Sequence, residues 1–204
     1  MFDCNDAWLK YPQHHIWFNK LWLAEQLGYD CGPASVPVSK SGKYIVRPIY
    51  NLRGMGLGTY VTELHPNTVD EIQPGYFWCE YFEGTHRTID YTFHAMAPPL
   101  WRKVASHIGH KEDLTTFSKW EKDDYELELP HFFVELSDVS RINVEAIDDR
   151  IIEVHLRPNP NPMQYDEMIP VWDDNKELEG YEYVEAENDC DGQLSRPRQG
   201  FLVR

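Results

Sequence analysis

Residues 141–157 read RINVEAIDDRIIEVHLR, two runs of alternating apolar and polar positions on either side of Asp148, Asp149 and Arg150. A period of two marks a strand, and a tight polar break between two such runs marks a hairpin. Side chains two apart on a strand share a face, so Asn143 goes with Glu145, and Glu153 with His155 and Arg157. A symmetrical turn about Asp149 sets Glu145 opposite Glu153 and Asn143 opposite His155. Facing carboxylates repel unless a cation or a proton stands between them. Oxygen-rich ligation of this kind suits Mg²⁺, which takes one or two carboxylates and leaves its other positions to water and phosphate. The plainer alternative is an exposed hairpin face carrying solvated charge.

Around this hairpin the chain has enough apolar surface to fold without staples: 42% of its 204 residues are hydrophobic and 14% aromatic. Its formal charge of −15 argues against binding duplex nucleic acid or an anionic membrane by phosphate neutralisation, while leaving room for a local basic pocket. The cysteines at 4, 31, 79 and 190 form no CxxC pair, so no zinc ribbon or dithiol centre is written here, and a reduced, cytoplasmic chain is the expectation. The first ten residues do not read as a secretory signal, and no run of about 18 apolar residues occurs.

The acidity is concentrated. Between Asp166 and Asp191 eleven acidic residues stand against Lys176 alone, which predicts a loosely ordered tail over 163–204 lying outside any anion-binding cleft. Late aromatics (Trp172, Tyr181, Tyr183) and basic residues (Arg196, Arg198, Arg204) point the other way, towards a segment that folds back on the core.

Upstream, Ile16–Leu27 carries apolar residues at helical spacing and stops at Gly28. Lys43–Tyr50 reads as a strand, followed by the glycine-rich Asn51–Thr59. Gly75–Glu83 reads as a buried strand and Thr88–His94 as its neighbour across a turn at Gly84. Trp101–Gly109 is expected to be a short helix or loop, and Leu129–Val139 a helix with Pro130 in its first turn. Strands and helices intermix without regular alternation, so the class is α+β.

Nine histidines include no HExxH and no Cys/His cluster, and no GxSxG elbow is present, so neither a zinc enzyme nor a serine hydrolase is indicated. Arg47 followed by Gly54, Gly56 and Gly58 places a cation beside backbone that can approach phosphate, although the loop is not a Walker P-loop.

In order, these pieces resemble the ATP-grasp superfamily over roughly Phe18–Asn159. FNKLWLAEQLG matches its opening helix, whose lysine touches nucleotide phosphate, here Lys20. YIVRPIYNLRGMGLG matches the strand with its phosphate cation and glycine loop, here Arg47 with Gly54, Gly56 and Gly58. WCEYFEG matches the hinge that receives adenine and ribose, here Glu80, Tyr81, Phe82 and Glu83, and NVEAI and IIEVHLRP match the two closing metal strands. The resemblance implies two small α+β lobes enclosing a nucleotide cleft within 1–162, with the glycine-loop lobe at about 35–79, the hinge at 80–84 and the metal hairpin at 141–157. It further implies ATP and Mg²⁺ as cofactors, metal contacts from Glu145, Glu153, His155 and Asn143, and catalytic roles for Arg141 and Arg157. The implied reaction joins a carboxylate to an amine or other nucleophile through an acylphosphate.

Arg47 stands where lysine is usual, and His155 where asparagine is usual, a poorer Mg²⁺ ligand for which Asn159 or Asn161 would compensate. Only about 19 residues precede Lys20, so the acceptor side is expected to be truncated or supplied by a protein partner. The alternative implied is a non-catalytic binding or assembly protein, its compactness pointing to a viral source.

Overall fold

The computed structural model describes residues 4–52, 56–67, 72–95, 100–172, 175–186 and 198–204. The fold is α+β and mostly antiparallel. A four-stranded sheet has the order β1-β4-β2-β3, and an eight-stranded sheet the order β11-β12-β10-β7-β6-β5-β8-β9. The smaller contains β1 (Cys31–Pro33), β2 (Gly42–Pro48), β3 (Tyr60–Leu64) and β4 (Tyr76–Glu80). The larger contains β5 (His86–His94), β6 (Leu100–Lys111), β7 (Phe117–Lys122), β8 (Arg141–Ile147), β9 (Arg150–His155), β10 (Glu167–Val171), β11 (Glu182–Glu185) and β12 (Gly200–Val203). Among the described residues no helix is long and apolar enough to cross a membrane.

Alternation decides which face of each strand is core. On β8 the side chains of Ile142, Val144 and Ala146 are fully buried with Ile89, Tyr91, Val154 and Leu156, and the amino-terminal segment covers them with Trp17, Phe18 and Leu23. Each such burial contributes about 1.5–3 kcal/mol. The opposite face, with Asn143 and Glu145, is thereby turned towards the smaller sheet. The same logic on β2 sends Tyr44 and Val46 into a second core with Trp78 and leaves Ile45 and Arg47 facing the larger sheet.

Four sequence expectations change. The helix expected over 16–27 is broken: a 3₁₀ turn over Pro12–Phe18 ends at Asn19, whose side chain accepts from Trp22 N at 2.9 Å and so caps a new helix, α2 (Lys20–Gln26), preceded by α1 (Cys4–Lys10). Gly28 does end it, at φ 74°. The segment expected as a helix or loop over 101–109 is the long strand β6, and the helix expected over 129–139 is a 3₁₀ turn over His131–Leu136. Strands β4 and β5 are not a hairpin, since Gly84 carries the chain from one sheet to the other.

The acidic carboxy-terminal segment differs most from its expectation. It contributes β10, β11 and β12, and Met168, Phe201 and Val203 bury against Trp120 of β7. β12 is buried along its whole length and Met168 of β10 is buried beside it, so a strongly acidic composition still supplies a local apolar core. Ending the chain after Pro162 is therefore expected to lower the melting temperature by about 10 °C or more, since it exposes several such side chains. A calorimetric scan of the shortened protein checks this, and an unchanged transition would make the segment separable.

Candidate functional site

The hairpin register places the functional side chains. Strands β8 and β9 pair Glu145 with Glu153 and Asn143 with His155. The turn itself is two residues, Asp148 and Asp149, and an extra residue at Ile152 shifts the register by one, which gives the pairing that a symmetrical turn about Asp149 predicts. The turn docks on the inter-sheet crossover. Thr85 N donates to Asp148 Oδ1 at 2.9 Å, Asp148 N donates to Thr85 O at 2.8 Å, and a side chain at Gly84 would run into the Asp148 carboxylate.

Between the sheets lie two contiguous cavities. The hinge-side cavity, about 710 Å³, is lined by Cys79 to His86 together with Ile108, Gly109 and Ile147, within the size range of small-molecule sites. The second, about 160 Å³, is lined by Lys20, Arg47, Asn143, Glu145, Glu153, His155 and Arg157, and also by Gly56, Thr59, Trp172 and Arg198. Arg47, His86 and Lys111 line both, and so form the neck between them. The lining of the second cavity carries Lys20, Arg47, Lys111, Arg157 and Arg198 against Glu145 and Glu153, an excess of positive charge in a chain of net charge −15. Such a local field selects an anion.

Each charge has identifiable neighbours. Lys20, the first residue of α2, is buried and donates from Nζ to Glu153 Oε2 at 2.8 Å. His155 Nε2 lies 3.6 Å from Glu145 Oε1 and 3.7 Å from Glu153 Oε1, while His86 Nε2 lies 3.4 Å from Glu145 Oε2. On its other side His155 Nδ1 meets Cys4 Sγ at 3.5 Å, and Arg157 Nε donates to the same sulfur at 3.1 Å. Burial pushes the Cys4 thiol up, but His155 and Arg157 outweigh it and bring it down to about 7. Burial pushes His155 down, and Cys4 and Glu153 outweigh that and raise it to about 10. Burial likewise opposes ionisation of Glu145 and Glu153, yet the imidazoles hold Glu145 well below 4.5 and Lys20 with His155 hold Glu153 below it. Lys111 opens onto the cleft but is hemmed in by protein, and this desolvation lowers its ammonium.

At the floor, Asn143 Nδ2 donates to Thr88 Oγ1 at 2.8 Å and to Asp90 Oδ1 at 3.0 Å, and Asn159 Nδ2 donates to the same hydroxyl at 2.7 Å. Arg141 is not among the residues lining either cavity; its Nη2 lies 3.4 Å from Asp90 Oδ2. At the hinge, Glu80 Oε1 accepts from Asp30 N at 3.1 Å, Tyr81 lies under Lys43 at 4.1 Å, Phe82 packs on Tyr29, and Glu83 meets Lys43 at 3.3 Å. Gly56 and Gly58 lie in the β2–β3 loop, where Gly58 adopts φ 77° and approaches Tyr76; Gly54 lies outside the described residues. Sequence reasoning missed Lys111, His86 and Cys4, whereas Trp172 and Arg198, which line the second cavity, belong to the alternative in which the carboxy-terminal segment folds back on the core. The first two sit on strands whose cleft-facing positions were readable once β6 was recognised as a strand.

No family model matches the chain, and no curated protein matches it. Among solved structures it is similar to a protein from Archaeoglobus fulgidus assigned provisionally to the ATP-grasp superfamily, at 11% identity and a TM-score of 0.49, over 93% of this chain and 64% of that one. It is also similar to an L-amino acid ligase from Bacillus licheniformis, at 11% identity and a TM-score of 0.43, over 68% of this chain and 39% of that one. The chain spans less than two thirds of either structure's length.

Removing Lys20 leaves Glu153 without its closest cation. Lys20→Met is expected to destabilise the protein by about 3–5 kcal/mol at pH 7, the range for breaking a buried pair. Because Glu153 is held below 4.5 in the folded state, the stability it contributes is full above that value and is lost as pH falls through the depressed one. Urea melts of both proteins across pH 3–8 check this: the gap should close at the acid end, and a gap that is constant with pH would contradict the assignment.

Proposed function

We propose that the chain binds ATP in the inter-sheet cleft and uses it, as ATP-grasp ligases do, to join a carboxylate to an amine or another nucleophile. The observation that carries this reading is the polarity of the continuous cavity. A roomy, largely apolar chamber at the hinge suits an adenine, and the cationic neck and second chamber suit a triphosphate running towards Lys20 and Arg157. In the reaction a carboxylate oxygen attacks the γ-phosphorus, the bond to the β–γ bridging oxygen breaks and ADP leaves. The amine then attacks the acyl carbon, loses a proton and releases phosphate. Arg47, Lys111 and Arg157 offset charge on the transferring group, the main contribution a protein makes to phosphoryl transfer. Trp172 and Arg198 form the wall on which an acceptor would rest, with a protein partner as the other source of that surface.

The Mg²⁺ expected at Glu145, Glu153, His155 and Asn143 does not suit the donor set as it stands. All four carboxylate oxygens face Lys20, His86 or His155. The same observation favours the second reading, a non-catalytic nucleotide-binding module of this fold.

Isothermal titration with ATP tests the reading. Arg47→Ala and Lys111→Ala should each weaken binding about tenfold or more, the loss of one desolvated charge-assisted contact. Lys122→Ala, on an exposed ion pair with Asp166, should leave it unchanged. ADP release with a panel of carboxylates and amines separates ligase from binding module, and no binding by the wild-type chain would sink both.

A further inference from the structure

We propose that the cleft binds its phosphate ligand without a divalent cation, because Lys20 and His155 already stand where such a cation would bridge Glu145 and Glu153. The inference rests on the nucleotide reading of the cleft and concerns how its charge is balanced.

The carboxylate pair needs a counter-charge, and the protein supplies it from two directions. Lys20 reaches Glu153 Oε2 from the start of α2 at 2.8 Å, and the His155 ring nitrogen Nε2 sits between the remaining oxygen of Glu153, at 3.7 Å, and Oε1 of Glu145, at 3.6 Å. Mg²⁺ demands near-octahedral oxygen ligation and dehydrates reluctantly, so it must displace both groups to reach these oxygens. Both are confined: the Lys20 side chain is buried, and the far side of the His155 ring is held against Cys4 Sγ at 3.5 Å. Among the described residues no group of three or more His, Cys, Asp or Glu side chains is arranged to hold a metal ion. With the carboxylates neutralised internally, Arg47 and Lys111 are left to meet the ligand's charge, so the positive excess that Mg²⁺ ordinarily adds to a triphosphate site is built into the protein. Asparagine at 155 would remove the bridging nitrogen and offer an amide oxygen, so the histidine is the residue that distinguishes this site from a magnesium one.

Two titrations test the proposal. In the first, Mn²⁺ alone is added and followed by electron paramagnetic resonance up to about 1 mM, the range of weak carboxylate sites. The wild-type protein should show no bound Mn²⁺ that Glu145→Gln removes, whereas His155→Asn and Lys20→Met should each create such a site; if one variant fails to fold, the other decides. In the second, ATP affinity measured in EDTA should lie within about threefold of that measured with Mg²⁺, a difference under 1 kcal/mol. A Glu145-dependent Mn²⁺ site in the wild type, its absence from every folded variant, or an ATP affinity about tenfold higher with Mg²⁺ would each overturn the proposal. ATP that binds in neither buffer overturns the nucleotide reading instead, and the Mn²⁺ titration then decides this proposal by itself.

Discussion

Two glutamates on one face of a hairpin, turned into the inter-sheet cleft and only partly open to water, are the constraint around which the rest of the molecule is arranged. Desolvating one carboxylate costs several kcal/mol, and setting a second opposite it adds repulsion, so the pair persists ionised only with cations at hydrogen-bonding or near-contact range. Lys20 must therefore come from outside the sheet. That requirement accounts for the break in the amino-terminal helix: Asn19 caps a new helix whose first residue projects its ammonium onto Glu153. Cys4, brought against the same hairpin by α1, turns the His155 ring and Arg157 into place. The amino-terminal segment is thus both the lid of the main core and the source of the site's second layer of contacts.

The same pair couples the two sheets. The hairpin that carries the glutamates also presents Asp148 to the Gly84 crossover, so the metal-like face and the hinge chamber are held in one register by a single turn. Arg47 from the smaller sheet and Lys111 from the larger meet at the neck between chambers, and neither has a carboxylate as close as Lys20 has. Under the proposed reading these are the cations that meet an incoming anion.

Much of this was legible in the chain because strands repeat every two residues. Alternation alone put Glu145 against Glu153 and Asn143 against His155, and Lys20, Arg47, Gly56 and Glu80–Glu83, singled out by their order, all line one or other inter-sheet cavity. What was not legible depended on partners distant in sequence. Composition marked 163–204 as a loose tail, but strand pairing within it buries Met168, Phe201 and Val203 on Trp120, and a few buried side chains outweigh the surrounding charge. Lys111 was hidden because its segment, rich in His, Gly and Ser, has weak strand preference and becomes β6 through pairing with β5 and β7. Nor does periodicity show that Lys20, separated from Glu153 by over a hundred residues, would take the place read as a metal's.

Hydrogen–deuterium exchange of the full chain with and without ATP tests the central claim most directly, since it reports where a nucleotide sits without presuming turnover. Bound ATP should slow exchange at the hinge amides 80–85 and in the β2–β3 loop at 56–59 while leaving unchanged the 3₁₀ turn His131–Leu136, which packs on the core face of the large sheet. Protection confined to the other side of the large sheet, or none at saturating ATP, would contradict the account.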